Sequence, residues 1–565
     1  MRLKACSALL AGALVLGGCS GVPTSGPVER VSAAPGRLNP GVEIAPAPPG
    51  RNASPTMVVE GFLHAMASNQ PSYAVARSYL TEGAADAWDP TAGVRIYGEG
   101  NPVVATEAGA ILRAPVVGTV DAEGAYRQSE ETIDHDFGLV QDEDGQWRIG
   151  APPAGLLISE YLFTSAFTRV TPYFYAPEGR WLVPDPRFFP RGTSAYLGAA
   201  RAVVGGATDW LAPAVDAPEV GVDVESVTVS PAGVATVTLT QPAGEFPEAD
   251  QVALATQLAW SFRSFDSVVS LSVRWAGQDP WVVEPYGSSL PVTGFPEADP
   301  SSRQGSRQLF ALSSGHVVRV IEGPDSTQHV SVAPGITDAA AAAVRPDALA
   351  VAAVSGDRTT LVLSPFGESV VTPVGAGAGF RRPQFDRHGS LWISDDAGGL
   401  WQVPPDGTLQ PVAVTGVGEG SIEAYRVSPD GVRVALIVQR PGGQRALGLA
   451  RVHRDGPEVI VDGWQELEVA TTSVGQLAVL DVGWRAADSL LVLVADGRAT
   501  TVQAVALDGS TIVPIGPTEA QDLVELAVAP GVPAMVRAAG GDVWRYNSDL
   551  RWSQHDTSLD AVIYP

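Results

Sequence analysis

The stretch SPDGVRVALIV, residues 428–438, runs a proline-bearing turn directly into an apolar strand, and its reading decides the fold of half the chain. Ser428-Pro429-Asp430 is turn chemistry, and residues 434–438 are an apolar run of strand length. Comparable turns stand at Arg345-Pro346-Asp347, Phe385-Asp386-Arg387, Trp484-Arg485-Ala486 and Ala529-Pro530-Gly531. Taken with 428–430, their middle residues are spaced by 40, 43, 56 and 45. Most lead into an apolar strand, as at 349–354 and 490–494, and a further strand and turn follow, as at 361–367, 400–407 and 504–509. Four short strands per ~40 to 50 residues is the spacing of propeller blades. With 309–321 supplying another strand pair, the repeat predicts a β-propeller of five or six blades over residues 296–565. A closed ring leaves only short protected edges, which keeps this much strand soluble without disulfides.

Upstream the periodicity changes to mixed helix and strand. Residues 171–295 read as a compact α+β domain. A helix is expected around 194–211, and Pro231-Ala232-Gly233 turns a hairpin whose second strand alternates Ala235, Val237 and Leu239 against Thr236, Thr238 and Thr240. An amphipathic helix then carries Val252, Ala255, Leu258, Ala259, Phe262 and Phe265. A last strand is expected to place Val269, Leu271, Val273 and Trp275 on one buried face.

Residues 55–170 read as a first α+β domain. Ser54-Pro55 is a helix start, followed by Val58, Val59, Phe62, Leu63 and Met66 at helical spacing; Ala76, Tyr79 and Leu80 mark a second helix. Strands at 94–97, 111–117, 132–140 and 147–149 predict a curved antiparallel sheet, by analogy an NTF2-like cone, with a hairpin turn at Asp142-Glu143-Asp144-Gly145. The expected fold class is therefore multidomain: two α+β domains followed by an all-β propeller.

Arg2 and Lys4 open a leader whose apolar run at 9–16 falls short of the about 20 residues needed to span a bilayer. Leu16-Gly17-Gly18-Cys19 then has the pattern of a bacterial lipobox. Residues 1–18 are expected to be a lipoprotein signal peptide, and Cys19 the lipidated residue. Cys6 would leave with the leader, so disulfides cannot contribute to the mature fold. Residues 19–54 form a tether, with prolines at 23, 27, 35, 40, 46, 48 and 49 and Pro55 just beyond it.

The 565 residues carry 62 acidic against 36 basic side chains, a net charge of −26. That balance disfavours nucleic acid and adhesion to anionic lipid, and leaves an acyl chain as the means of membrane contact. Lys4 is the only lysine.

Taken in order, these parts resemble the LpqB lipoproteins of actinobacteria. The quoted carriers are the lipobox, the tether, Val58-Val59-Glu60-Gly61-Phe62-Leu63-His64-Ala65-Met66, Ala76-Arg77-Ser78-Tyr79-Leu80-Thr81 ahead of Trp88-Asp89-Pro90, the link Leu182-Val183-Pro184-Asp185-Pro186-Arg187 and the terminal propeller. The resemblance implies that 171–295 is GerMN-like. It also implies a membrane-anchored, extracytoplasmic, non-catalytic accessory that binds the extracytoplasmic part of an MtrB-like sensor kinase and tunes signalling for envelope homeostasis and division. The alternatives are a lipoprotein that binds or hydrolyses cell-wall polymer, and a scaffold positioning other envelope enzymes.

The sequence holds no Gly-x-Ser-x-Gly elbow and no His-Glu-x-x-His motif, and neither a catalytic residue, a metal nor a cofactor is expected. The seven histidines (64, 135, 316, 329, 388, 453, 555) are scattered. Asp134-His135-Asp136 is the most tempting cluster, but strand alternation would turn His135 away from its neighbours. His64 borders an apolar stripe and reads as a rim residue. Residues 142–145 lack the ligand ladder of a calcium loop, and the glycine-rich 375–380 does not complete a phosphate cradle. Trp392, Trp401, Trp484 and Trp544 are expected to pack between blades, the alternative being a sugar-stacking surface.

Overall fold

The propeller repeat is set by its turns. The computed structural model describes residues 46–565 apart from 69–70, 101, 108, 217–220, 303–305, 324–326, 406, 457, 470–477, 498, 518–521 and 549–550. The leader, Cys19 and most of the tether lie outside the described residues. Four of the five turns singled out above join the innermost strand of a blade to the next strand; in blade 5 residues 484–486 are instead the end of the innermost strand, Ala478–Ala486, and 487–488 make the turn. In blade 4, 428–432 connects Ser421–Val427 to Arg433–Gln439, and the equivalent connections start blades 2 (339–376), 3 (384–411), 5 (478–516) and 6 (523–556).

Blade 1 lacks such a turn because its innermost strand comes from the far end of the chain. Ala561–Ile563 pairs antiparallel with Phe310–Ser313, Ala311 opposite Val562, and His316–Glu322 and Thr327–Ser331 complete the blade. Five turns thus specify six blades among the described residues. The ring is closed by hydrogen bonds between the two ends of the propeller sequence, so neither end leaves an open inner edge. Blade 4 gains a fifth strand, Ala413–Val414, laid parallel on its outer edge.

In the middle domain the sheet order is Val224–Val229, Val234–Leu239, Ser270–Trp275, Leu290–Pro291. The second and third strands are parallel, and the helix Glu248–Phe262 makes the crossover that parallel strands require. Ala235, Val237, Leu239, Leu271 and Val273 are fully buried beneath this helix and Thr193–Gly205. Each large apolar side chain so buried contributes about 1.5–3 kcal/mol.

Two expectations are corrected here. Val269 is 58% exposed: it lies one residue before the strand, beyond the cover of the helices, over Gly233. The helix expected to reach Leu211 stops at Gly205, because Gly206 takes φ +96°.

In the first domain Ser54 caps the helix Pro55–Met66, its Oγ accepting from Met57 N at 3.3 Å. Val58, Val59, Phe62, Leu63 and Met66 are buried against the sheet. The sheet runs Val103–Thr106, Gly109–Val120, Val94–Tyr97, Leu156–Ser159, with Tyr126–Gln128 and Thr132–Asp136 also on the long strand. It is not wholly antiparallel, since Leu156–Ser159 pairs with Val94–Tyr97 in parallel after the chain has returned through the hairpin Leu139–Gln141/Trp147–Ile149.

The strand expected over 132–140 is broken at Phe137-Gly138, where Gly138 has φ +55°. The second helix covers only Ala74–Arg77. Leu80 instead forms a bridge to Ile149, and Thr81 caps a further helix, Glu82–Ala87.

Candidate functional site: the two faces of the propeller

In an antiparallel meander alternate turns lie at the same end, so the turns after the first and third strands of every blade share one face of the ring. On blades 3 to 5 that face is occupied by the two α+β domains. The opening stretch of the sequence is the seat. Gly431 at φ +76° closes the turn, and Asp430 Oδ1 accepts from Val432 N at 3.1 Å. Asp430 Oδ2 is 2.8 Å from Arg433 Nη1, both side chains being essentially inaccessible to solvent (0% and 1%). Trp181 Nε1 donates to Asp430 O at 2.8 Å, and Arg433 Nη2 donates to Pro184 O.

The link 182–187 is built around its own buried pair. Asp185 Oδ2 accepts from Arg187 at 2.8 Å and from Thr208 N at 2.8 Å, while Arg187 Nη2 reaches Gly206 O at 2.6 Å. From blade 3, the Arg387 guanidinium stacks 3.7 Å over the Trp181 ring, and burial pushes its pKa down to about 10. His388 packs edge-on against the same ring, 3.7 Å from Glu178, and burial followed by the nearby Arg454 lowers its pKa.

Further contacts hold the same face. Arg169 bridges Asp508 at 3.0 Å and Asp488 at 3.1 Å; burial alone would lower its pKa, and the two carboxylates together more than reverse that. Gln128 of the first domain donates to Glu468 O and Gly509 O, both at 3.1 Å, and accepts from Glu468 N at 2.8 Å. Arg451 Nη1 donates to Trp210 O at 2.8 Å. Between the three domains lies a cavity of about 480 Å³, bordered by Tyr126, Trp210, Leu467 and Asp508.

Among the described residues the opposite face carries no domain. There the entrance of the central channel opens as a bowl of about 370 Å³. Arg382 forms its floor. From the link entering blade 3 it crosses the channel to Asp481 of blade 5 (3.2 Å), Leu526 O and Glu525 of blade 6 (3.0 and 3.3 Å) and Val562 O of blade 1 (3.1 Å). Arg426 meets Asp481 at 3.1 Å, Arg537 meets Glu525 at 2.7 Å, and Arg381 meets Glu423 at 3.0 Å. Blade 2 contributes a wall of small side chains from its inner strand, Ala339–Val344. These arginines carry no local sequence signature, because they come from three separated segments, 381–382, 426 and 537.

The residues weighed from sequence do not converge. Asp134 pairs with Arg113 (Nε–Oδ2 2.9 Å), Asp136 Oδ1 accepts from Gly138 N, and His135 turns the other way to Ala151 O at 3.0 Å, its pKa lowered by burial. His64 is half-buried in the last turn of its helix. Residues 142–145 are a tight turn, with Gly145 N donating to Asp142 O at 2.9 Å. Residues 375–380 end the outer strand of blade 2 and run into the link to blade 3, Phe380 being buried. Among the described residues no cluster of three His, Cys, Asp or Glu side chains has metal-binding geometry.

Trp392 and Trp484 are core residues. Their indole N–H groups donate to Asp386 Oδ2 (2.9 Å) and Arg426 O (2.8 Å), and Trp401 and Trp544 are half-buried in the blade clusters. They therefore form no open stacking surface.

A Cutibacterium acnes protein named Lipoprotein LpqB is 32% identical over 580 residues, covering 98% of both chains. The chain belongs to the LpqB lipoprotein family. A second LpqB, from Streptomyces coelicolor, is 27% identical over 605 residues and covers 98% of this chain and 96% of its own. The LpqB N-terminal domain matches residues 48–164, the family described as "Sporulation and spore germination" matches 171–279, and the LpqB beta-propeller domain matches 315–565. The middle domain is thus of the GerMN type and the C-terminal one is the LpqB propeller. Among solved structures, TolB from Acinetobacter baumannii aligns with a TM-score of 0.35 at 13% identity, over 54% of this chain and 84% of its own.

Proposed function

We propose that this LpqB-family chain is a lipid-anchored, extracytoplasmic and non-catalytic accessory that binds the extracytoplasmic part of an MtrB-like sensor kinase and modulates its signalling. In this reading residues 1–18 are removed, Cys19 carries the lipid, and 19–54 tethers the domains at 55–170, 171–295 and 296–565 to the outer face of the membrane. The observation that carries it is the match to LpqB lipoproteins along nearly the whole chain.

Three features are consistent with a binding role. The lipobox precedes a proline-rich spacer. No described helix is long and apolar enough to cross a membrane. The one histidine–carboxylate cluster singled out is tied into structural contacts.

The test is a Cys19→Ala variant expressed in place of the native chain, with kinase phosphorylation and crosslinking followed together. The proposal expects release from the membrane, loss of kinase capture and an altered phosphorylation level. Retention at the membrane contradicts the anchor. Release without any change in phosphorylation contradicts the signalling role and favours a scaffold.

A further inference from the structure

The cavity of about 480 Å³ between the three domains is bordered by polar groups that the docking contacts leave over. Its walls come from the turn 121–125 of the first domain, the segment 208–210 of the middle domain, and blades 4 and 5 of the propeller. Two carboxylates on the wall are matched, Asp185 by Arg187 at 2.8 Å and Asp508 by Arg169 at 3.0 Å. Others are not. Among the described residues, Glu123, Asp209 and Arg127 border the cavity without an oppositely charged partner, and the Gln465 amide forms no hydrogen bond. Arg433 is also on the wall. Its Nη1 and Nη2 are bound to Asp430 and Pro184 O, but its Nε has no acceptor, although the side chain is only 1% exposed.

A buried donor without an acceptor is costly, so an oxygen against the Arg433 Nε is favoured. The surroundings oppose an anionic oxygen. Burial, and then the carboxylates of Asp508, Glu160 and Glu468, push the Tyr126 phenol on the same wall up to about 12, and a ligand anion would meet Asp209 and Glu123 as well. A cation fits no better, because it would leave the Arg433 donor unanswered and face the unpaired Arg127. A neutral hydroxyl serves both kinds of group. It donates to Asp209 or Glu123 and accepts from Arg433 or Gln465. Trp210 and Tyr126 have already placed their polar atoms on Gly463 O and Val117 O, so they offer the cavity ring surface and no further donor. The negative face of an aromatic ring suits the polarised C–H groups that lie between the hydroxyls of a sugar.

We infer that the cavity between the three domains is a binding site for a neutral saccharide, its hydroxyls shared among Asp209, Glu123 and Arg433 and its C–H surface against Trp210 and Tyr126. The volume is that of a small-molecule site rather than a seat for one ion. A sugar lodged there touches all three domains at once. It binds the docked arrangement and not the separated domains, so by mass action it favours docking. This goes beyond the proposed signalling role and stands whether or not the partner is a kinase.

The test uses the purified full chain in a zwitterionic, sugar-free detergent, titrated calorimetrically with the neutral disaccharides cellobiose, maltose, trehalose and N,N′-diacetylchitobiose. Chitobiose and maltobionate serve as the cationic and anionic references. The expected result is saturable binding of at least one neutral disaccharide, at least tenfold tighter than either charged one, with hydrogen exchange slowed together in peptides covering 119–130, 206–212 and 463–468. Asp209→Ala, which removes one acceptor, and Ala122→Trp, which fills the cavity from an exposed turn without removing a charge, should each weaken binding at least tenfold. Circular dichroism checks that both variants fold; if either does not, the exchange footprint on the native chain decides. The inference is overturned if none of the four neutral sugars binds up to about 10 mM, which leaves the cavity to water. It is equally overturned if chitobiose or maltobionate binds more tightly, if the footprint lies outside those three peptides, or if both folded variants bind like the native chain.

Discussion

Replacing Arg433 by Met tests how the middle domain is fixed to the propeller. Asp430 and Arg433 are both inaccessible to solvent and 2.8 Å apart, so the substitution strands a carboxylate in the interior. Removing one member of such a pair costs about 3–5 kcal/mol, far more than the pair itself contributes, because the survivor keeps its desolvation penalty. The hydrogen bond from Arg433 to Pro184 O is lost as well. It belongs to the same network, so its contribution is not added separately.

At 1.4 kcal/mol per factor of ten, a loss of about 4 kcal/mol raises the open population of this junction roughly a thousandfold. A chain of several domains has no single unfolding transition, so the readout is hydrogen exchange of peptides covering 180–190 and 424–440. Both should lose protection together. The double variant Asp430→Asn/Arg433→Met removes the stranded charge and should recover at least half of the loss. The reasoning is refuted if the single variant exchanges like the native chain, or if the double variant is no better than the single one.

Three further outcomes follow from the same contacts. Trp181→Ala removes the donor to Asp430 O and the stacking partner of Arg387, and should destabilise the junction by about 3–5 kcal/mol in the same exchange measurement while leaving peptides of blades 1 and 6 unchanged. Gly431→Ala must hold φ +76° and bring a methyl group about 3.1 Å from His388 Nε2, so a loss of about 1–2 kcal/mol is expected, visible as faster exchange of the peptide covering 424–440. His388 has a pKa held below the usual 6.5 by burial; the unfolded chain therefore takes up its proton first. The stability this histidine contributes is complete above about pH 6.5 and declines as the pH falls toward its folded value. His135 and His555, also lowered by burial, act in the same direction. Protection of the peptide covering 384–394, corrected for the intrinsic exchange rate at each pH, should fall between pH 7.5 and 5.5, and His388→Gln should flatten part of that slope.

The propeller was legible because its turns repeat at one structural position. The count of five or six became six because the innermost strand of blade 1, Ala561–Ile563, arrives from the end of the chain with no turn to announce it. Blade 2 has the weakest strand signal in its sequence. Its inner strand holds five consecutive alanines, good helix formers, and forms a strand because both neighbouring positions in the ring are strands. In the α+β domains the alternation at 235–239 located the core correctly, while Val269 obeyed the same parity and still lay outside, since alternation gives a face but not where its cover ends. The link 182–187 stood out as a motif, and the structure supplies its physical reason in the Asp185–Arg187 pair and the acceptor at Pro184 O. The arginine bowl had no local signature, because its members meet only when the ring closes.

The central claim is that Cys19 is the anchored end of the mature protein, and intact-mass analysis of the native chain extracted from membranes tests it most directly. The account predicts a polypeptide beginning at Cys19 and carrying the added mass of a diacylglycerol. A chain that retains residues 1–18, or one whose Cys19 bears no lipid, would contradict it.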